Sequence, residues 1–136
     1  MSTAVDPQTQ RKLENFEQAL AALTRFLAEP NRSEAAEAGI VKAFELTFEQ
    51  AWKLVQRVAE QAGLPTASPK AALRAGLRMH LVGDESLWLA MLDDRNLAAH
   101  TYRPGLARSL VERIEQRYAG ELRLLRQRIG AHLAAG

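Results

Sequence analysis

The stretch SEAAEAGIVKAFELTFEQAWKLVQRVAEQAG, running from Ser33 to Gly63, places Ile40, Phe44, Phe48, Ala51, Trp52, Val55 and Ala59 at three-to-four spacing. That is the period of one face of an α-helix, not the alternation of a half-buried strand. The helix is expected to begin between Ser33 and Glu37 and to end at Gly63, with Pro65 beyond. It is expected to be the central core element.

The same period continues on both sides. Asp6-Pro7 pairs an N-cap with proline at the first helical position, and Leu13, Phe16, Leu20, Leu23 and Leu27 follow until Glu29-Pro30-Asn31 interrupts. Ser68-Pro69 repeats this signature and opens a short helix through Ala71, Leu73 and Leu77, expected to close near Gly83. Asp84 then caps a helix carrying Leu87, Trp88, Met91 and Leu92, which must end by about Arg103 because the residue before Pro104 is pushed out of the α region. Beyond Pro104, Leu106, Leu110, Ile114, Tyr118, Leu122, Leu125, Ile129 and Leu133 form a last stripe.

No strand pattern, repeat or composition break is present, so residues 1–136 read as a single domain with its core at about 8–133. An all-α, up-and-down four-helix bundle with one additional short helix buries these faces most simply. About 30 residues of helix span roughly 45 Å, so part of the last stripe is expected to pack against a second subunit.

The bulk composition is that of a soluble globular protein, with 47% hydrophobic and 25% charged residues. With no cysteine there can be no disulfide or thiolate metal site, and cytoplasm is the expected compartment. Met1 to Gln10 lacks the pattern of a signal peptide, and no stretch has the roughly 18 apolar residues of a membrane span. Residues 1–68 hold 7 basic and 9 acidic side chains and residues 69–136 hold 11 and 7. This asymmetry permits contact with a polyanion but falls short of the dense basic stripe of a dedicated nucleic-acid binder.

Chemistry concentrates in the run Asp93-Asp94-Arg95-Asn96-Leu97-Ala98-Ala99-His100-Thr101-Tyr102. It offers a fixed cation, an imidazole and a phenol. Five helical steps leave Arg95 and His100 about 140° apart. Acting together requires either an unwound turn before His100 or a meeting of two subunits. A converged pair suits phosphodiester cleavage, with His100 as acid or base and Arg95 stabilising charge on the phosphate oxygens. The bland alternative pairs Arg95 with a nearby carboxylate and places His100 by the carbonyls of its helix C-terminus. Asn96 orients substrate or faces solvent. Tyr102 packs near a helix end or serves as a nucleophile or modification site.

Elsewhere the sequence is quieter. Adjacent Asp93 and Asp94 diverge on a helix and make a poor metal site. Glu45 and Glu49 read as a solvated edge, with Lys53 placed to pair with Glu49. His80 and His132 lack ligand spacing and read as surface or packing residues, while Trp52 and Trp88 read as core anchors. No glycine-rich phosphate loop or nucleotide fingerprint occurs, so no cofactor and no metal is expected.

The motif Arg95-Asn96-x3-His100-x-Tyr102 resembles the Arg-x4-6-His signature of the HEPN superfamily, in the Arg-x4-His-x-Tyr form of HepT-like toxins. Leu13-Glu14-Asn15-Phe16, Phe44 to Lys53, Ser68-Pro69-Lys70 and Trp88 to Leu92 are similar to the branch called nucleotidyltransferase substrate-binding proteins, so the likeness covers roughly residues 10 to 130. This resemblance implies a helical bundle that forms a homodimer, with the Arg–His pairs of two protomers near one cleft. It further implies a metal-independent endoribonuclease in which His100 assists attack of the ribose 2′-hydroxyl, Arg95 stabilises the phosphate and Asn96 supports the site. The implied partner is a minimal nucleotidyltransferase antitoxin that transfers AMP to Tyr102, obstructing RNA. Two other readings stay open: a non-catalytic substrate-binding subunit of a two-component nucleotidyltransferase, and a plain dimeric interaction module.

Overall fold

Proline and capping residues set the helix starts. The computed structural model describes residues 5–136, so the first four residues of the leader-free reading of Met1 to Gln10 lie outside the described residues. Asp6 accepts the Thr9 N–H at the head of α1 (Pro7–Leu27), and Ser33 accepts the Ala36 N–H at the head of α2 (Glu34–Gln61). Ser68 and Asp84 do the same for α3 (Pro69–Arg78) and α4 (Glu85–His100), through the N–H groups of Ala71 and Leu87. Each cap satisfies a backbone donor that the first helical turn leaves free. Pro104 then opens α5 (Pro104–Arg113), which runs through a π-helical turn, Ile114–Tyr118, into α6 (Ala119–Ala134).

The result is the expected all-helical bundle, with no strand among the described residues. As its sequence suggested, α2 is central, packing against α1, α3, α4, α5 and α6. Phe44, Phe48, Ala51, Leu54 and Val55 on its inner face are fully excluded from solvent. They join Phe16 and Leu23 of α1, Trp88 and Met91 of α4, and Ile114 and Leu122 in one hydrophobic cluster. Each large apolar side chain buried in this way contributes about 1.5–3 kcal/mol.

Two details depart from the sequence reading. The short helix stops at Arg78 instead of near Gly83, and the segment after it turns through His80, whose φ of 61° is left-handed, to tuck Leu81 and Val82 into the core. Gly76 permits that close return, since a Cβ there would lie 2.8 Å from Val55 and 2.9 Å from Val82. The last stripe, in turn, is covered within one chain: Leu110, Ile114, Tyr118, Leu122, Leu125 and Ile129 are all buried, while Leu106 remains exposed. Helix length alone therefore does not require a second subunit. Among the described residues no helix is long and apolar enough to cross a membrane.

Candidate functional site

The two halves of α4 do different work. Its first half buries Leu87, Trp88, Met91 and Leu92, whereas Asn96, Leu97, Ala99 and His100 in the second half are exposed. The chain stays helical through His100, Thr101 is the extended C-cap, and Arg103 precedes Pro104 in an extended conformation. The motif thus straddles a helix end as expected, but no turn unwinds between Arg95 and His100. On one continuous helix the two side chains stay about 140° apart, so a single chain does not bring them onto one face.

Arg95 is half-buried and held from below by α2. Its Nη1 donates to Glu49 Oε2 at 3.0 Å, and its guanidinium lies 5.7 Å from the centroid of the Phe48 ring. Its Nε is buried without a hydrogen-bond partner. Glu49 is itself fixed from its own helix, accepting from Trp52 Nε1 at 3.0 Å and pairing with Lys53 at 3.2 Å. Burial pushes the Glu49 carboxyl upward. The hydrogen bonds from Trp52 and Lys53, with the charges of Lys53 and Arg95, outweigh that effect and hold it below the ordinary glutamate value.

Asp94 faces the opposite neighbour. It receives Arg113 in bidentate fashion, with Nε at 2.8 Å and Nη2 at 2.9 Å, and the Tyr118 hydroxyl at 2.5 Å. The π turn carries Tyr118, whose ring stacks on Phe44 with centroids 5.5 Å apart. Burial first, then the Asp94 carboxylate, pushes the Tyr118 phenol up to about 12. Asp93 and Asp94 diverge as the sequence implied, and neither pairs with Arg95. Among the described residues no group of three or more His, Asp or Glu converges as metal ligands would.

Tyr102 is 54% exposed, and its hydroxyl reaches Glu34 Oε1 at the start of α2, at 3.4 Å. Partial desolvation, the charge and hydrogen bond of Glu34 and the charge of Glu37 hold its phenol above the ordinary value. It helps line a narrow cleft of about 30 Å³, together with Val41, Leu97, Leu106 and the Asp94–Arg113 pair among others. Neither Arg95 nor His100 lines this cleft.

Several structural partners escaped the sequence reading. Glu49 looked like part of a solvated edge; its Lys53 partner was legible, but its grip on Arg95 was not. The available signal was its position on α2 between Phe48 and Trp52, which places a carboxylate at the margin of the buried face. Glu121, buried at 8% exposure, accepts from Trp88 Nε1 at 3.0 Å and from Arg128 at 3.2 Å. Trp88 is fully buried as expected, Trp52 is half-buried, and His80 and His132 are exposed.

A family model described as "nucleotidyltransferase substrate binding protein like" matches residues 11–131. The chain is similar to a probable ribonuclease HepT of Haemophilus influenzae, 34% identical over 83 residues; the match spans 57% of this chain and only 57% of that relative's length. Its structure is similar to that of a Thermus thermophilus protein, with a TM-score of 0.72 and 35% identity over 85% of this chain and 97% of the other. It is also similar to a Haemophilus influenzae structure described as the fold of a substrate-binding domain of a nucleotidyltransferase. There the TM-score is 0.64 and the identity 26%, over 88% of this chain and 94% of that one.

Proposed function

The chain belongs to the family of nucleotidyltransferase substrate-binding-like proteins, and from that premise we propose that it is a HepT-like endoribonuclease, the toxin of a toxin–antitoxin pair. The proposed site is composite. Arg95 of one protomer stabilises charge on the phosphate, while His100 of the other assists attack by the ribose 2′-hydroxyl and protonates the leaving oxygen. Asn96, exposed beside Arg95, supports substrate binding. No metal takes part in this scheme.

One observation carries the composite arrangement. The α4 helix is unbroken from Arg95 through His100, so the pair diverges within a chain, and a two-fold partner is the simplest way to make one site of the two residues. Tyr102 is exposed two residues further on. There a minimal nucleotidyltransferase antitoxin transfers AMP from ATP to the phenol oxygen, releasing pyrophosphate and the phenol proton, which places anionic bulk beside the pair and excludes RNA.

The competing reading, a non-catalytic subunit that presents substrate to a nucleotidyltransferase, draws on the family description and on the ion pair that already engages Arg95. Cleavage of a structured RNA by the purified protein in EDTA, beside Arg95→Ala and His100→Ala, separates the two. The nuclease reading expects cleavage by the wild type and a loss of about a hundredfold or more in each variant. Equal activity in all three removes that reading. Transfer by the partner enzyme that depends on this chain, with no RNA cleavage, establishes the alternative.

A further inference from the structure

We infer that Glu49 is a positioning residue for Arg95: it takes one amino group of the guanidinium and leaves the other directed outward for a phosphate. The inference rests on the composite nuclease site proposed above. Arginine offers five N–H donors in a rigid planar fork. Nη1 is spent on Glu49 Oε2 at 3.0 Å, Nε is buried, and Nη2 makes no hydrogen bond among the described residues. The fork is therefore fixed at one end and open at the other.

The mount is rigid because each part is held by something else. Phe48 lies beneath the guanidinium at 5.7 Å, and Glu49 is anchored by the Trp52 indole at 3.0 Å and Lys53 at 3.2 Å. All four of these residues sit on α2, the central helix of the bundle, whereas Arg95 sits on the exposed half of α4. The ion pair thus transmits the fixed geometry of the core to a side chain whose own helix leaves it unsupported. A cation oriented in advance stabilises charge developing on a phosphate oxygen without reorganising as it develops. Lys53 matters as well: it shares the negative charge of Glu49, so the carboxylate neutralises Arg95 only in part.

Glu49→Ala and Glu49→Gln in the full chain test the inference, with kcat and KM for RNA cleavage and the ¹⁵N–¹H signal of the Arg95 Nε–H group as readouts. Glutamine retains an oxygen that accepts from Nη1; alanine does not. In Glu49→Ala, kcat is expected to fall about tenfold or more with KM within about threefold, and the Arg95 signal to shift and broaden as the guanidinium is released. Glu49→Gln is expected to recover most of kcat and to keep the signal sharp. A rise in kcat in Glu49→Ala would mean that the carboxylate restrains Arg95 instead of orienting it, and would overturn the inference. An unchanged kcat with an unchanged signal overturns it too. Should the wild type cleave no RNA, the nuclease reading falls on its own. The Arg95 signal then still judges the mount, and its persistence in Glu49→Ala rejects it.

Discussion

The Asp94 carboxylate accepts the Tyr118 hydroxyl at 2.5 Å, which ties the residue just before Arg95 to the π turn of the last helix, 24 positions further along the chain. The next residue, Arg95, is tied to Glu49 on α2. Two consecutive side chains of α4 are thus anchored to different helices, and together they fix how the exposed half of α4 leaves the core.

The Asp94–Tyr118 bond makes stability depend on alkaline pH in a definite direction. The Tyr118 phenol is raised to about 12 in the folded chain, while an unfolded tyrosine titrates near about 10. The stabilisation is complete below the unfolded value and is lost as pH rises through the folded one. Melting temperatures measured from pH 9 to pH 12 should therefore fall more steeply for the wild type than for Tyr118→Phe. At pH 7 the same substitution should cost about 1–2 kcal/mol, because Asp94 loses one of its donors but keeps Arg113. Parallel curves across that range would show that the hydroxyl bond does not form.

A composite site predicts complementation. Arg95→Ala and His100→Ala proteins, each inactive alone, are expected to regain activity when unfolded together and refolded as a mixture. In a randomly assorted mixture about half the dimers carry both variants, each with one intact site of two, giving roughly a quarter of wild-type activity. An in-chain site gives none, so a mixture as inactive as its components argues against pairing across subunits.

Tyr102→Phe separates cleavage from its control. Among the described residues the hydroxyl hydrogen-bonds only to Glu34, and the side chain is more than half exposed, so stability should change by less than about 0.5 kcal/mol. RNA cleavage is expected to continue, whereas mass spectrometry after incubation with the partner transferase and ATP should show no added AMP. Addition of AMP to the Phe variant would place the modified residue elsewhere.

Gly76→Ala tests the turn after α3. Alanine should favour the helix by about 1 kcal/mol, but its Cβ would meet two buried valines at 2.8 and 2.9 Å. Overpacking of this kind costs about 1–3 kcal/mol, so a net loss is expected in chemical denaturation. A stabilised variant would mean that Val55 and Val82 yield easily.

Helix starts were legible in the sequence because the signals that fix them are local. Asp6, Ser33, Ser68 and Asp84 each cap a donor three residues ahead, and Pro7, Pro69 and Pro104 preset the first turn. The break before Pro104, and with it the placement of the Arg95-to-Tyr102 motif at a helix end, follows from the same short-range sterics. The central role of α2 was legible too, since its apolar face extends over most of the helix.

What only the tertiary structure decided depends on contacts between distant parts of the chain. Spacing gave the angle between Arg95 and His100 on an ideal helix, but not whether that helix persists to His100. The choice of Glu49 over the adjacent aspartates as the partner of Arg95 spans 46 positions, and no helical period encodes it. The π turn that brings Tyr118 to Asp94 is equally invisible to a 3.6-residue pattern, because the Asp94 bond and the Phe44 stack that accompany it join residues on separate helices. Local chemistry fixed where each helix begins, and packing determined which charges could meet.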